Sequence, residues 1–345
     1  VDAVTPPTPD KELAVTEDVA WLRVDETSAS GTVRRRAAEL AERLGFTEGA
    51  LGEISIVATE LATNLVKYAR DGVVVLRALR SDHAAGMAVV AFDKGPGLRD
   101  LGALFADGES SSGTLGIGLG AVRRLASSYD AHSVPGAGTV VSATFWQGEP
   151  AAEPAAGLAR ALDGEPECGD AYATRRTGRG LLLMLADGLG HGSLAARAST
   201  ECVRVFRESE LESPAALLTL MHKRISATRG AATAIGHLDV GARRLTYAGV
   251  GNIAGRVVSG RRTRGLVTMP GIVGHNLRAV QDMTYDVEPD AWVVMHSDGL
   301  TEKWELDRYP GLLTCSPLVV ATTLLRDAAV HRDDASVLAC PGQPR

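Results

Sequence analysis

Cysteine is scarce in this chain, and what there is lies scattered. Cys168, Cys202, Cys315 and Cys340 are spread over 345 residues with no C-x-x-C pair. That distribution fits neither a zinc site nor a disulfide framework and points to a reducing cytoplasm. Long apolar runs are missing as well: none approaches the ~18 residues of a membrane span. The opening VDAVTPPTPDKE has no apolar core of the kind a secretory signal carries. The expectation is a cytoplasmic protein with no membrane partner. Excess positive charge is also absent. Fourteen basic and 19 acidic residues fall before residue 148, and 22 and 23 after it, for a net charge of -6. Neither part offers the basic surface that binds nucleic acid. Aromatics make up only 4% while apolar residues reach 45%, so the cores must be built from Ala, Val and Leu.

The length suits two domains, each able to bury its own core. Residues 1–17, rich in Pro, Thr and acid, read as a flexible tail. TVRRRAAELAERLG and EISIVATELATNLVKYA carry apolar residues at helical spacing, and the second stops near Asp71-Gly72. Strand-like VVVLRALR and GMAVVAF follow, then a Ser/Gly-rich loop, a helix at AVRRLASSY and a strand at GTVVSATFW. QGEPAAEPAAG, residues 147–157, is a linker by composition, which places one domain at 18–147, the linker at 148–157 and a second domain at 158–345. The second domain reads as strands (LLLMLA, AATAIGHL, RLTYAG, IAGRVVS, WVVMHS, SVLAC) with two helices, SLAARASTECVRVFRES and PAALLTLMHKRISAT, between the first two. That pattern predicts sheet layers covered by helices. The chain has no evident internal repeat.

In the first domain Glu60 and Asn64 are one helical turn apart and emerge from one face. A carboxylate beside a carboxamide can accept a proton and bind Mg²⁺; the same spacing also occurs on plain solvated faces, and Lys67 reads as such a face or as a phosphate contact. Asp93-Lys94-Gly95-Pro96-Gly97 directly follows an apolar strand. Its carboxylate can accept a hydrogen bond from an exocyclic amine, and its glycines allow close approach of backbone to a flat ring. Gly113, Gly116, Gly118 and Gly120 then precede a helix whose free N–H groups can hold phosphate.

This ordered series resembles the GHKL (Bergerat-fold) ATPases. ELATNLVKYA is similar to the N box, DKGPGL to the G1 box and GTLGIGLGAVRRL to the G2 box with part of the ATP lid. DGESSSGTLGIGLGAVRRLASSY and GAGTVVSATFW bring the likeness nearest to the RsbT-type switch kinases. The resemblance implies an α/β sandwich with Glu60 as catalytic base, Asn64 on Mg²⁺, Asp93 on adenine, and Gly95, Gly97, Gly116, Gly118 and Gly120 shaping the ATP pocket. Thr139, after Gly138, matches a family threonine near the base. No phospho-acceptor histidine box precedes the domain, which speaks against a sensor histidine kinase.

In the second domain Asp187-Gly188 and Asp298-Gly299 each follow an apolar run, and Asp333-Asp334 precedes another. Any one Asp-Gly pair could be turn chemistry. Three acidic steps at strand borders instead predict carboxylates brought to one point, which repel unless hard cations lie between them. ECGDAY, LADGLGHG, YAGVGNIAG, HSDGLTE and RDDASVL then resemble, in order, the PPM-type serine/threonine phosphatases of the SpoIIE/RsbX branch. The resemblance implies a β-sandwich flanked by helices and a centre for two Mn²⁺ or Mg²⁺ ions bridged by catalytic Asp187. The Gly188 carbonyl, Asp298 and Asp333 would complete it, with Asp170 nearby, for in-line hydrolysis of a phosphoserine or phosphothreonine. Ser336 stands where many relatives have threonine. His191 reads as a proton donor or as a loop contact. Arg175, Arg176 and Arg179 are candidates to hold the phosphate, and His275 reads as structural.

Together these resemblances predict a bifunctional α/β protein that uses ATP with Mg²⁺ to phosphorylate a partner, and divalent metals to dephosphorylate it. The partner implied is a STAS-domain anti-sigma-factor antagonist or stressosome-type protein. Two alternatives stand beside it: a phosphatase whose nucleotide-binding half only regulates, and an anti-sigma-factor-like binding module.

Overall fold

The computed structural model describes residues 17–80, 84–99, 101, 118–149, 153–260, 262–330 and 332–344. Residues 1–16 and the stretch holding Gly113 and Gly116 fall outside the described residues.

The first unit is an antiparallel sheet in the order β1-β2-β3-β5-β4, formed by β1 (Glu17–Arg23), β2 (Val73–Arg80), β3 (Ala85–Phe92), β4 (Ser128–Val134) and β5 (Gly138–Trp146). Helices α1 (Thr27–Arg43), α2 (Glu48–Tyr68) and α3 (Gly118–Leu125) belong to it. The Thr47 hydroxyl caps α2 by accepting from the Ala50 N–H. From α2, Ile54, Val57, Ala58, Leu61, Ala62 and Leu65 face the sheet at three- and four-residue spacing. Side chains alternate along the strands as strand geometry requires. Val74, Leu76, Met87 and Val89 pack under the helices, whereas Val75, Leu79, Val90 and Phe92 point to the opposite face.

The second unit is a sandwich of two five-stranded antiparallel sheets. One has the order β13-β10-β9-β8-β7 and contains β7 (Asp170–Arg176), β8 (Gly180–Gly188), β9 (Ala231–Asp239), β10 (Arg244–Val250) and β13 (Met283–Asp286). The other has the order β12-β11-β14-β15-β6 and contains β6 (Ala156–Arg160), β11 (Ala254–Ser259), β12 (Arg262–Leu266), β14 (Trp292–His296) and β15 (Ala335–Pro341). Leu181, Leu183 and Leu185 meet Val257, Val293, Met295 and Leu338 between the sheets. Helices α4 (Ser193–Glu208) and α5 (Pro214–Arg224) cover the first sheet through Cys202, Phe206, Leu217 and Met221.

The second sheet is covered by a helix that the sequence pattern does not predict, α6 (Pro317–Ala328). Leu318, Val319, Val320, Ala321, Leu324, Leu325 and Ala328 are all buried in it. They share one core with Leu158, Val294 and Val337 of the sandwich and with Val75, Leu79, Val90, Phe92 and Val140 of the first unit. One helix therefore fills the space between both units. The helix is buried on every side, its polar Thr322, Thr323 and Arg326 included.

Polar contacts reinforce this junction. Arg77 is fully buried, with Nε 3.0 Å from Asp18 and Nη2 3.2 Å from both Glu153 and the Tyr172 hydroxyl. Asp18 also accepts from the Ala159 N–H at 2.8 Å. At the start of α6 the Ser316 N–H donates to Asp130 of β4 at 2.5 Å. The expected linker is thus partly structured: β6 begins at Ala156, and Ala155 is buried. Other departures are the strands β1, β4, β7, β12 and β13, which the sequence pattern does not predict. β4 takes the final Ser-Tyr of the stretch read as the helix AVRRLASSY, because α3 ends at Leu125.

Candidate nucleotide site and carboxylate centre

Helix α2 presents Glu60 and Asn64, both half-buried, on successive turns, with Lys67 exposed beyond them. The stretch after β3 is fixed against this helix and the β4–β5 hairpin by backbone bonds. Lys94 N–H donates to the Arg70 carbonyl at 2.8 Å, and Asp93 N–H to the Thr139 carbonyl at 3.0 Å. Asp93 is only 8% exposed, and one of its carboxylate oxygens accepts from the Gly95 N–H at 2.5 Å. Burial pushes its pKa up, against the Gly95 bond and the charge of Arg326.

Two glycines are required here for a reason other than approach to a flat ring. Gly97 has φ +62°, and a Cβ there would be driven into the Val134 carbonyl. Gly138 has φ +96°, and a Cβ there would be driven into the Asp93 carbonyl. Both let the loop after β3 lie directly on the hairpin. Thr139 follows, its hydroxyl 2.8 Å from that of Ser133. Gly118 and Gly120 lie in the first turn of α3. A buried carboxylate restrained by its own loop, in a unit that also carries a glycine-rich helix start, fits an adenine nucleotide.

In the second unit the acidic residues come from both sheets. Asp170 opens β7 and is the direct cross-strand partner of Asp187 near the end of β8. Asp298 follows β14 and Asp333 precedes β15, two adjacent strands of the facing sheet that are tied by the Ser297 N–H to the Ser336 carbonyl at 3.1 Å. Burial pushes the Asp187 carboxyl up to about 9, and the charges of Asp170, Asp298, Asp333 and Asp334 push the same way. Burial also lifts Asp170 to about 7, opposed by the hydroxyls of Ser297 and Ser336 and reinforced by Asp334 and Asp298. Those hydroxyls are near, yet neither Asp170 oxygen has a partner at hydrogen-bonding geometry. Among the described residues no three acidic, His or Cys side chains stand at the spacing of a closed metal site. The carboxylates neighbour one another without converging fully. Orphaned buried oxygens amid like charges fit hard divalent cations, which take oxygen ligands.

The remaining residues divide between this centre and its support. Asp334 is a brace: its carboxylate accepts from the Leu162 N–H at 2.7 Å and the Gly169 N–H at 2.9 Å. Asp333 accepts from the Asp334 N–H at 2.9 Å. Asn252, within the YAGVGNIAG stretch but given no role by the sequence, donates to Asp298 at 2.6 Å. Gly188 N–H donates to the Gly169 carbonyl at 3.0 Å, which closes the strand pair beside Asp187. His191 is held by Glu165 at 2.7 Å, and the His275 ring is 3.0 Å from the Thr228 carbonyl.

The arginines named as phosphate candidates lie elsewhere. Arg175, Arg176 and Arg179 sit at the far end of the β7–β8 hairpin, about 15–20 Å along the strand from Asp170. Arg175 donates to the Leu211 carbonyl and lies over the Phe206 ring, and Arg179 pairs with Glu212. Arg229 is better placed: a Cβ on Gly190, in the loop after Asp187, would come within 3.1 Å of its guanidinium. A lone surface arginine carries no sequence signal that would single it out.

Residues 24–145 match the histidine kinase-like ATPase domain family, and residues 177–340 match the stage II sporulation protein E (SpoIIE) family. The serine/threonine-protein kinase RsbT of Bacillus subtilis is 34% identical over 113 residues, which span 33% of this chain and 85% of that protein. The chain belongs to the RsbT family through its first unit. Its second unit is similar to the SpoIIE proteins over residues 177–340. The phosphoserine phosphatase RsbX of the same organism is 24% identical over 140 residues, 40% of this chain and 70% of that protein. A solved structure from work on the bacterial stressosome, described as a modular system adapted to control secondary messenger signalling, superposes with a TM-score of 0.50. It is 26% identical and covers 54% of this chain and 97% of that one. Among the described residues no helix is long and apolar enough to cross a membrane.

Proposed function

We propose that this protein both adds phosphate to and removes it from a serine or threonine of a STAS-domain partner, in a cytoplasmic partner-switching pathway controlling a sigma factor. The observation that carries the hydrolytic half is Asp170, whose two buried oxygens lack partners beside a second carboxyl strongly disposed to stay protonated. Asp170, Asp187, Asp298, Asp333 and the Gly188 carbonyl would hold two Mn²⁺ or Mg²⁺ ions. Bound there, such ions supply Lewis acidity and neutralise phosphate charge. The chain's own contribution is positioning. Asn252 restrains Asp298, Asp334 braces the loops from which Asp170 and Asp333 emerge, and Arg229 meets the phosphate oxygens. His191, held by Glu165, would return a proton to the departing alkoxide.

In the first domain Asp93 would accept from the adenine amine, the N–H groups opening α3 would hold phosphate, and Asn64 would hold Mg²⁺. Glu60 would take the proton from the partner's hydroxyl, with Thr139 nearby. Phosphoryl transfer of this kind rests mainly on positioning and charge neutralisation.

The full chain incubated with ATP, Mn²⁺ and a candidate STAS protein tests both directions. Glu60→Ala is expected to abolish phosphorylation and spare dephosphorylation, and Asp187→Ala to do the reverse. Loss of both activities from either substitution would overturn the assignment of independent sites. A second reading, an ATP-gated phosphatase without transfer, is favoured by one observation: Arg326 of α6 donates to the Asp93 carbonyl at 3.2 Å. It predicts that Glu60→Ala changes nothing while Asp93→Asn alters phosphatase rate.

A further inference from the structure

We infer that Arg326, a residue of the phosphatase domain, is a positioning residue of the adenine site in the kinase-like domain, acting through the backbone of Asp93. The inference rests on the reading of Asp93 as the adenine contact and adds a requirement to it: nucleotide selection needs a side chain from the other domain.

Arg326 lies in the last turn of α6 and is only 5% exposed. A buried guanidinium must have its donors answered, and this one is held as a fork. Nε and Nη2 donate to the two oxygens of Asp327 at 2.7 and 2.8 Å, which fixes the plane of the group. The remaining Nη1 is thereby aimed at the Asp93 carbonyl, 3.2 Å away. The same carbonyl lies against Gly138, where no side chain could fit. Asp93 is restrained at three further points, by its N–H to Thr139, by its carboxylate from the Gly95 N–H, and by the Lys94 N–H to Arg70. Of these restraints, the bond from Arg326 is the one that comes from outside the first unit.

The position of Arg326 is set in turn by the phosphatase sandwich. The Thr301 N–H donates to the Ala328 carbonyl at 2.8 Å, and the Val330 N–H to the Gly299 carbonyl at 2.8 Å. Both bonds join the end of α6 to the turn that carries Asp298. A carboxylate held at a fixed height accepts from the amine of adenine but repels the carbonyl oxygen that guanine presents there. Releasing the Asp93 carbonyl lets this carboxylate shift, so adenine loses more than guanine does.

The test uses the full-length chain in competition binding against a fluorescent ATP analogue, with MgATP and MgGTP as competitors. Arg326→Met is expected to weaken ATP about tenfold, the loss of one charge-assisted hydrogen bond, with GTP little changed. Arg326→Lys, which keeps the charge and one donor, is expected to fall between wild type and Arg326→Met, and it decides the matter should the Met variant fail to fold by circular dichroism. Asp93→Asn serves as the reference for losing the adenine contact itself. Wild-type ATP affinity in both Arg326 variants, with ATP lost in Asp93→Asn, would overturn the inference and leave the nucleotide site standing. Equal weakening of ATP and GTP would overturn it in favour of a merely structural role. Failure of the unaltered chain to bind ATP would remove the nucleotide reading and the inference together.

Discussion

Asp93 and Asp187 are both carboxyls at strand ends whose pKa burial raises, yet their surroundings treat them differently. Around Asp93 the N–H, the carbonyl and one carboxylate oxygen each have a partner at hydrogen-bonding distance. Around Asp187 the neighbours are other acids, and its cross-strand partner Asp170 has both oxygens unanswered. The first arrangement is complete without its ligand and can be selective about what it accepts. The second carries an electrostatic cost that only protons or cations relieve. One site is built to discriminate and the other to be filled.

Perturbing each side of this contrast should give unlike results. The largest effect is expected from Gly138→Ala, which combines φ +96° with a collision at the Asp93 carbonyl. It should cost about 3 kcal/mol of stability and abolish ATP binding, read by thermal melts and nucleotide titration. Near-native melting with intact ATP affinity would show that the loop after β3 is not held as described.

The carboxylate centre should respond to pH instead. A carboxyl whose folded pKa lies above its unfolded value stabilises the fold fully below that unfolded value, and this stability is lost as pH rises through the folded pKa. With Asp187 raised from 3.8 to about 9, the chelator-treated protein should melt progressively lower from about pH 4 to pH 9. Mn²⁺ should reverse the trend by binding the folded state. Asp187→Asn should flatten the profile and raise metal-free stability at pH 8 by about 1–2 kcal/mol. A metal-free melting temperature independent of pH over this range would mean the acids do not feel one another.

The smallest effect concerns the phosphate. Arg229→Ala should raise KM for a phosphorylated partner about tenfold, the scale of one charge-assisted contact, whereas Arg175→Ala and Arg179→Ala should leave KM unchanged. The opposite ranking would return the phosphate to the far end of the hairpin.

How legible these sites were follows from where their information lies. Glu60, Asn64, Asp93 and the glycines after it sit in contiguous motifs with fixed order, so the chain itself suffices to propose them. Asp187, Asp298 and Asp333 could be read because each borders an apolar strand. Asn252, Glu165, Asp334 and Arg326 could not, because each takes its role from a residue at least 26 positions away. The largest omission, α6, has a physical cause. Its polar Thr322, Thr323 and Arg326 fall at helical spacing, yet all three are buried, so the stripe marks no wet face. Strand β4, SYDAHSV, failed for the opposite reason: its sequence is too polar to declare a buried face.

The placement of α6 has a practical and evolutionary reach. A rod of apolar side chains wedged between two sheets gives neither domain a finished exterior there, so a preparation of either one alone would begin life with an open wound. Cutting at the linker would also strand the Arg77 guanidinium without Glu153 and Tyr172. Heating should therefore melt both domains in a single step, and a lineage that has fused them in this way has little room to separate them again.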